Sequence, residues 1–157
     1  MKRIFAMLAV LSAMIVAASC EKYEDGKPSQ SVRSEFARMY PDAWDVEWER
    51  IGGDSWLVSF ETGKRPNGTE RKAWYDKGGN WIQTVTEVFL ADVPQDIKNY
   101  LHQSEYGSAQ FEDNDAEYFE TSSGASFYRF DLMMGRQEIQ VDVYPGGDVT
   151  PAQYGYF

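Results

Sequence analysis

The sequence is poor in the residues on which most site chemistry depends. It holds one histidine and one cysteine in 157 residues. A lone histidine, His102, cannot build a zinc site without further nitrogen or sulfur ligands. A lone cysteine, Cys20, cannot close an intrachain disulfide. Positive charge is scarce as well: 15 lysines and arginines stand against 25 aspartates and glutamates, a formal net charge of -10. So acidic a surface repels phosphate backbones and excludes nucleic acid as the expected partner. It leaves two reasons for the charge, a cationic partner or plain solubility. Catalytic patterns are missing too. Ser-His-Asp chemistry needs a nucleophile beside His102, and Ser123-Gly124 lacks the upstream glycine of a nucleophile elbow. Asp113, Asp115 and Glu117 alternate as in a calcium loop, but Tyr118 and Gly124 stand where that loop needs Gly and Glu. The paired glycines Gly78-Gly79 and Gly146-Gly147 sit between strand patterns, with no strand-to-helix context for phosphate. The expectation is a non-catalytic protein without metal or cofactor.

What is present begins with a leader. Lys2-Arg3, an apolar run from Ile4 to Val16 and the small residues Ala17-Ala18-Ser19 have the layout of a secretory signal over residues 1–19. The run is too short for a comfortable membrane span. Cys20 directly after small residues resembles a bacterial lipobox, in which the cysteine becomes the lipidated first residue of the mature protein. Ala17 stands where that motif usually has leucine, and an ordinary signal peptide with a leftover thiol is the competing reading. Residues 20–29 then read as the lipidated cysteine and a polar tether, with Gly26 and Pro28 as breakers. The acidic Glu21, Glu24 and Asp25 resemble the export signal of surface lipoproteins. The expected location is the cell envelope, on the periplasmic or surface face of the outer membrane, held by lipid.

Two similar units follow, residues 30–91 and 92–157. In the first, Val32, Phe36, Met39 and Tyr40 share one helical face, with Ser29 or Ser31 as cap and Pro41 as stop. Trp44, Val46 and Trp48 alternate with acidic residues as in a half-buried strand, and Trp56, Val58 and Phe60 do the same in the next. Asn67-Gly68 and Gly78-Gly79 are turn signals. The second unit restarts with Val93, Ile97, Tyr100 and Leu101 on a helical face, Ile97 standing 65 residues after Val32. Gly146-Gly147 stands 68 residues after Gly78-Gly79. The fold expected is α+β: two tandem repeats, each a helix followed by an antiparallel β-meander, with the helices on one face of the sheet.

This pattern resembles the PepSY-like family of Bacteroidetes exported lipoproteins, whose fold is similar to beta-lactamase inhibitor protein. The residues that carry the likeness are Val32-x3-Phe36-x3-Tyr40-Pro41, Val46-Glu47-Trp48-Glu49, Trp56 to Phe60 and Tyr75-x2-Gly78-Gly79. They are echoed by Ile97-x3-Leu101, Glu117 to Glu120, Phe127 to Leu132 and Tyr144-x-Gly146-Gly147. The resemblance implies an extracytoplasmic binding or inhibitory module without catalytic residues. A shared fold does not carry a target with it. Strand parity adds a candidate surface. If Ala73, Tyr75, Val141 and Val143 face the helices, then Leu57, Trp74, Phe127, Arg129 and Tyr144 face away. Aromatics and arginine on an open face are typical of protein contacts. The expected partner is a protein or peptide, and one mode is enzyme inhibition. A small-ligand or glycan binder and a purely structural envelope component are the alternatives. The tail AQYGYF is the competing occupant of the same face.

Overall fold

The first helix forms because four apolar residues recur at helical spacing beside a capping serine. In the computed structural model, which describes residues 21–23 and 25–152, α1 spans Gln30–Met39 and Ser29 Oγ accepts from Val32 N–H at 3.5 Å. The leader, Cys20 and the tail from residue 153 lie outside the described residues. Val32 and Phe36 are buried, and Met39 and Tyr40 pack partly against the same core. Phe36 meets Trp48 and Phe60 edge-on at 5.2 and 5.0 Å, the geometry in which ring edges meet ring faces favourably.

The strands follow in chain order: β1 (Lys22–Tyr23), β2 (Trp44–Ile51), β3 (Ser55–Thr62), β4 (Thr69–Tyr75) and β5 (Trp81–Phe89). Helix α2 (Gln95–Gln103) precedes β6 (Gln110–Phe111), β7 (Asp115–Thr121), β8 (Ser126–Met134), β9 (Gln137–Val143) and β10 (Val149–Pro151). Among the described residues all ten strands join one sheet, β1-β2-β3-β4-β5-β7-β8-β9-β10, with β6 beside β8. Every pairing is antiparallel except β1 on β2. The β5–β7 ladder, seven residue pairs from Gln83↔Thr121 to Phe89↔Asp115, makes the sheet continuous between the two halves.

Each helix covers its own half. Val32 and Phe36 sit on Val46, Trp48, Trp56, Val58, Phe60, Ala73 and Tyr75. Val93, Ile97 and Leu101 sit on Ala116, Phe130, Leu132, Val141 and Val143. Register carries one face through Ala73↔Thr84, Val88↔Ala116 and Phe130↔Val141, so both helices lie on the same side. The glycine pairs close this packing. Gly79 holds φ +95, and a Cβ there would stand 3.0 Å from the Ser31 backbone; Gly147, also at φ +95, lies against the Tyr100 ring. In each half a bare glycine lets the turn touch the helix.

Two expectations need correction. Residues 21–29 are not wholly tether, because Lys22 and Tyr23 pair with Glu47 and Trp48, and Tyr23 packs against the first core. Trp44 does not share a face with Val46 and Trp48. A one-residue bulge between Trp44 and Glu47, with Asp45 at φ +50, puts Trp44 opposite Glu61 and turns it over. There its indole donates to Gly63 O at 3.3 Å and stacks with Arg65, whose guanidinium lies 4.9 Å from the ring.

Candidate functional site

The face away from the helices carries the candidate site, and it divides into an apolar half and an acidic half. Register builds the apolar half. Leu57 stands opposite Trp74, Val85 opposite Phe119, and Phe119 opposite Phe127. Trp74, Val85 and Phe119 form a cluster of their own, with Ile51, Leu57, Ile82 and Phe127 packed against it. The rings of Phe119 and Phe127 stack at 4.7 Å and 9°, and Phe127 continues to Tyr144 at 5.1 Å.

The five residues placed here from sequence therefore share the face, but not as an open surface. Trp74 is 5% exposed and Arg129 7%, so neither offers a free side chain to a partner. Arg129 is held by a bidentate pair, Nε to Asp142 Oδ1 at 2.7 Å and Nη2 to Oδ2 at 3.0 Å. Its guanidinium also lies 4.6 Å from the Phe119 ring. The correction has a physical reason: parity assigns a side but not a depth, and large side chains stacked in register bury one another. Leu57, Phe127 and Tyr144 are half-buried and are what this half presents. Burial, with Asp142 nearby, pushes the Tyr144 phenol up.

The acidic half was not anticipated. A cavity of about 320 Å³ crosses the junction of the halves, lined by Asp45, Glu47, Glu61, Glu70, Glu87, Asp115, Glu117 and Asp131, with Arg71 and Lys72 as its basic residues. Its carboxylates face one another across strands: Glu61 opposite Glu70, and Glu87 opposite Glu117. Like charges directly opposed work against the sheet. Burial, then Glu70 and Asp115, hold the Glu87 carboxyl above its ordinary range, with Lys72 opposing. The signal for this trough was in the sequence, since outward positions of β2 to β8 are repeatedly acidic. It needed the register to stack them. Among the described residues no group of three or more His, Cys, Asp or Glu is placed to hold a metal ion. The carboxylates thus present a spread negative potential. His102 is exposed on α2, away from this face.

No family model matches the chain, and a search of curated proteins finds no match. Solved structures do match. A BLIP-like protein from Bacteroides fragilis is 22% identical with a TM-score of 0.65, over 83% of this chain and 90% of that one. A DUF2874 family protein from Bacteroides ovatus is 20% identical with a TM-score of 0.67, over 83% and 92%. A proposed periplasmic protein from Bacteroides eggerthii is 18% identical with a TM-score of 0.66, over 83% and 94%. At these identities the likeness is one of fold: an α+β chain whose large antiparallel sheet and two helices are similar to those of BLIP-like proteins.

Proposed function

We propose that this chain is a non-catalytic, extracytoplasmic binding module that takes a basic protein or peptide onto the sheet face opposite its helices. The observation that carries the reading is the trough of eight carboxylates beside a half-exposed aromatic margin. Opposed like charges cost stability, and sheets that keep them offset that cost elsewhere, most often at functional sites. A partner with Lys or Arg spaced along an extended segment would neutralise the trough, and an apolar residue of it would meet Leu57, Phe127 and Tyr144. Inhibition of an enzyme is one form of this partnership. The leader, the lipobox-like Cys20 and the described fold support a PepSY-like envelope lipoprotein, with two tandem copies of one helix-and-meander unit in residues 30–91 and 92–157. Among the described residues no helix is long and apolar enough to cross a membrane. Glycan stacking draws less support, because among the described residues Phe60 is the one aromatic lining the trough.

The test is calorimetric titration of residues 21–157 with basic and acidic peptides of equal length. The basic peptide is expected to bind, more weakly as salt rises, and Glu70→Lys to weaken it about tenfold, the size of one partly desolvated charge pair. Equal binding of both peptides, or none, overturns the reading. Mass spectrometry of the native N-terminus tests the anchor separately, and an unmodified Cys20 overturns it.

A further inference from the structure

The two halves differ in how the chain leaves its helix. Residues 40–43 lead from α1 straight into β2, whereas residues 104–114 lead from α2 to β7 and form β6 on the way. Connections of about 4–6 residues are ordinary, and binding residues often sit on longer ones. Between this longer segment and α2 lies a cavity of about 230 Å³. It opens on the helix side of the sheet, because Phe111 in its lining pairs with Leu132 of the second core. We propose that this cavity binds a small organic monocarboxylate with an apolar body, the ring or chain on Phe111 and the carboxylate at Lys98, Asn99 and His102.

Three observations choose that ligand. The first is charge. Gln95, Lys98, Asn99 and His102 recur at i, i+3, i+4 and i+7, one stripe of α2, and all four line the cavity. The chain carries a net charge of -10, yet among the described residues this lining holds Lys98 and His102 and no carboxylate. The acids nearest in sequence are turned elsewhere. Asp96 Oδ1 accepts from the Ile97 N–H at 3.0 Å, and Glu105 lines a separate groove beside Gly147. The second is the set of donors. Lys98 Nζ donates to Leu90 O at 3.0 Å, which leaves two of its three N–H groups for an anion. Gln95 Nε2 donates to Asn99 Oδ1 at 3.0 Å, so Asn99 keeps its amide N–H groups for another acceptor. The His102 ring carries an N–H in either protonation state. Bonds from such donors to a carboxylate are charge-assisted. The third is the apolar floor. Phe111 is 42% exposed, its ring 5.6 Å from that of Phe130, with Leu101, Tyr106 and Ala109 around it. This wall is held in place: Ser104 Oγ donates to Leu101 O at 2.7 Å and accepts from Tyr106 N–H at 3.1 Å. Gly107 sits so close that a Cβ on it would overlap the His102 carbonyl. A cavity of roughly 150 Å³ holds benzene, so this one has room for a ring and its carboxylate. An inorganic anion would leave the floor unused, and a cation would meet like charge.

This inference concerns the helix side and does not rest on the basic-partner reading. In the experiment, isotope-labelled residues 21–157 are titrated with phenylacetate, its neutral isostere phenylacetamide, phenethylammonium and acetate, and amide chemical shifts are followed. Phenylacetate is expected to give saturable shifts centred on Lys98, Asn99, His102 and Phe111. It should bind about tenfold more tightly than the amide, the size of one partly desolvated charge pair. Acetate, which lacks the ring, should bind more weakly than phenylacetate, and the cation should give no saturable shift. Lys98→Gln keeps a donor for Leu90 O and is expected to weaken phenylacetate about tenfold while leaving the amide unchanged. Phe111→Ser should weaken both. Unchanged shifts in the first half of the chain show that each variant keeps the fold. No saturable shift with phenylacetate overturns the site. So does equal affinity for the acid, the amide and the cation, or a saturable response centred away from α2 and β6. Peptide titration of the trough is read separately, so either proposal can fail while the other stands.

Discussion

Arg129 and Asp142 show how a residue can be read correctly for side and wrongly for role. Their pair is buried at both ends, at 8% and 7% side-chain exposure, and is braced by the Phe119 ring. Breaking a buried pair leaves a desolvated charge behind, so Asp142→Ala is expected to cost about 3 kcal/mol of unfolding free energy. Replacing both, as Arg129→Met with Asp142→Leu, should cost less than the single change, because no charge is then stranded. Urea denaturation of the three proteins checks the order. The same distinction explains what was legible at this scale. Alternation in SWLVSF and RKAWY assigned Leu57 and Trp74 to one face. Whether Trp74 is reachable depends on Val85 and Phe119, residues far off in sequence that the register brings alongside. Trp44 was misplaced for a smaller reason: nothing at Asp45, no glycine or asparagine, announces the bulge that turns it over.

At the scale of elements, the turns carry the tightest constraints. Asp76 organises the first glycine turn: its Oδ2 accepts from the Asn80 side-chain amide at 2.8 Å and its Oδ1 from Asn80 and Gly78 N–H at 2.9 and 2.8 Å, and these bonds, the side-chain one foremost, hold its carboxyl below the usual range. Gly79 and Gly147 share the same backbone angle but not the same surroundings. Gly79→Ala drives a methyl into the Ser31 backbone, whereas Gly147→Ala meets a tyrosine ring at 3.4 Å that can shift. Both should destabilise by about 1 kcal/mol through the positive φ, and Gly79→Ala by distinctly more. Thermal melts of the two variants decide it. The helices were legible because Val32–Phe36 and Ile97–Leu101 repeat at helical spacing. The short strands β1, β6 and β10 were not, since two or three residues are too few to show a period.

For the whole molecule, the net charge of -10 is concentrated where it opposes the fold. Glu87 and Glu112 are both held above the ordinary value of 4.5, Glu87 by burial, Glu70 and Asp115, and Glu112 by desolvation, Glu138 and Asp113. The native state therefore takes up these protons before the unfolded chain does, and stability should rise as pH falls through the raised values toward 4.5. Asp76, held below its ordinary 3.8, acts in the opposite sense: its contribution is present above that value and is lost as pH falls through the native one. Tm should thus peak on the acid side of neutrality, and Glu87→Gln should raise Tm at neutral pH while flattening the slope. A Tm that rises steadily from acid to neutral pH would contradict this account. The join between the halves was the part of the architecture least open to sequence reading. Two echoing meanders do not say whether their sheets fuse or stay apart.

That join has a consequence for how copies of the chain interact. A half taken alone would end in a bare strand of β5 or β7 length with its hydrogen-bonding edge open, and the complementary strand is carried by every other copy. The link between β5 and α2 is a short hinge, from Leu90 to Pro94. Refolding at high concentration should therefore yield dimers in which two molecules have exchanged halves through the same β5–β7 ladder, with every native contact kept and only its partner changed.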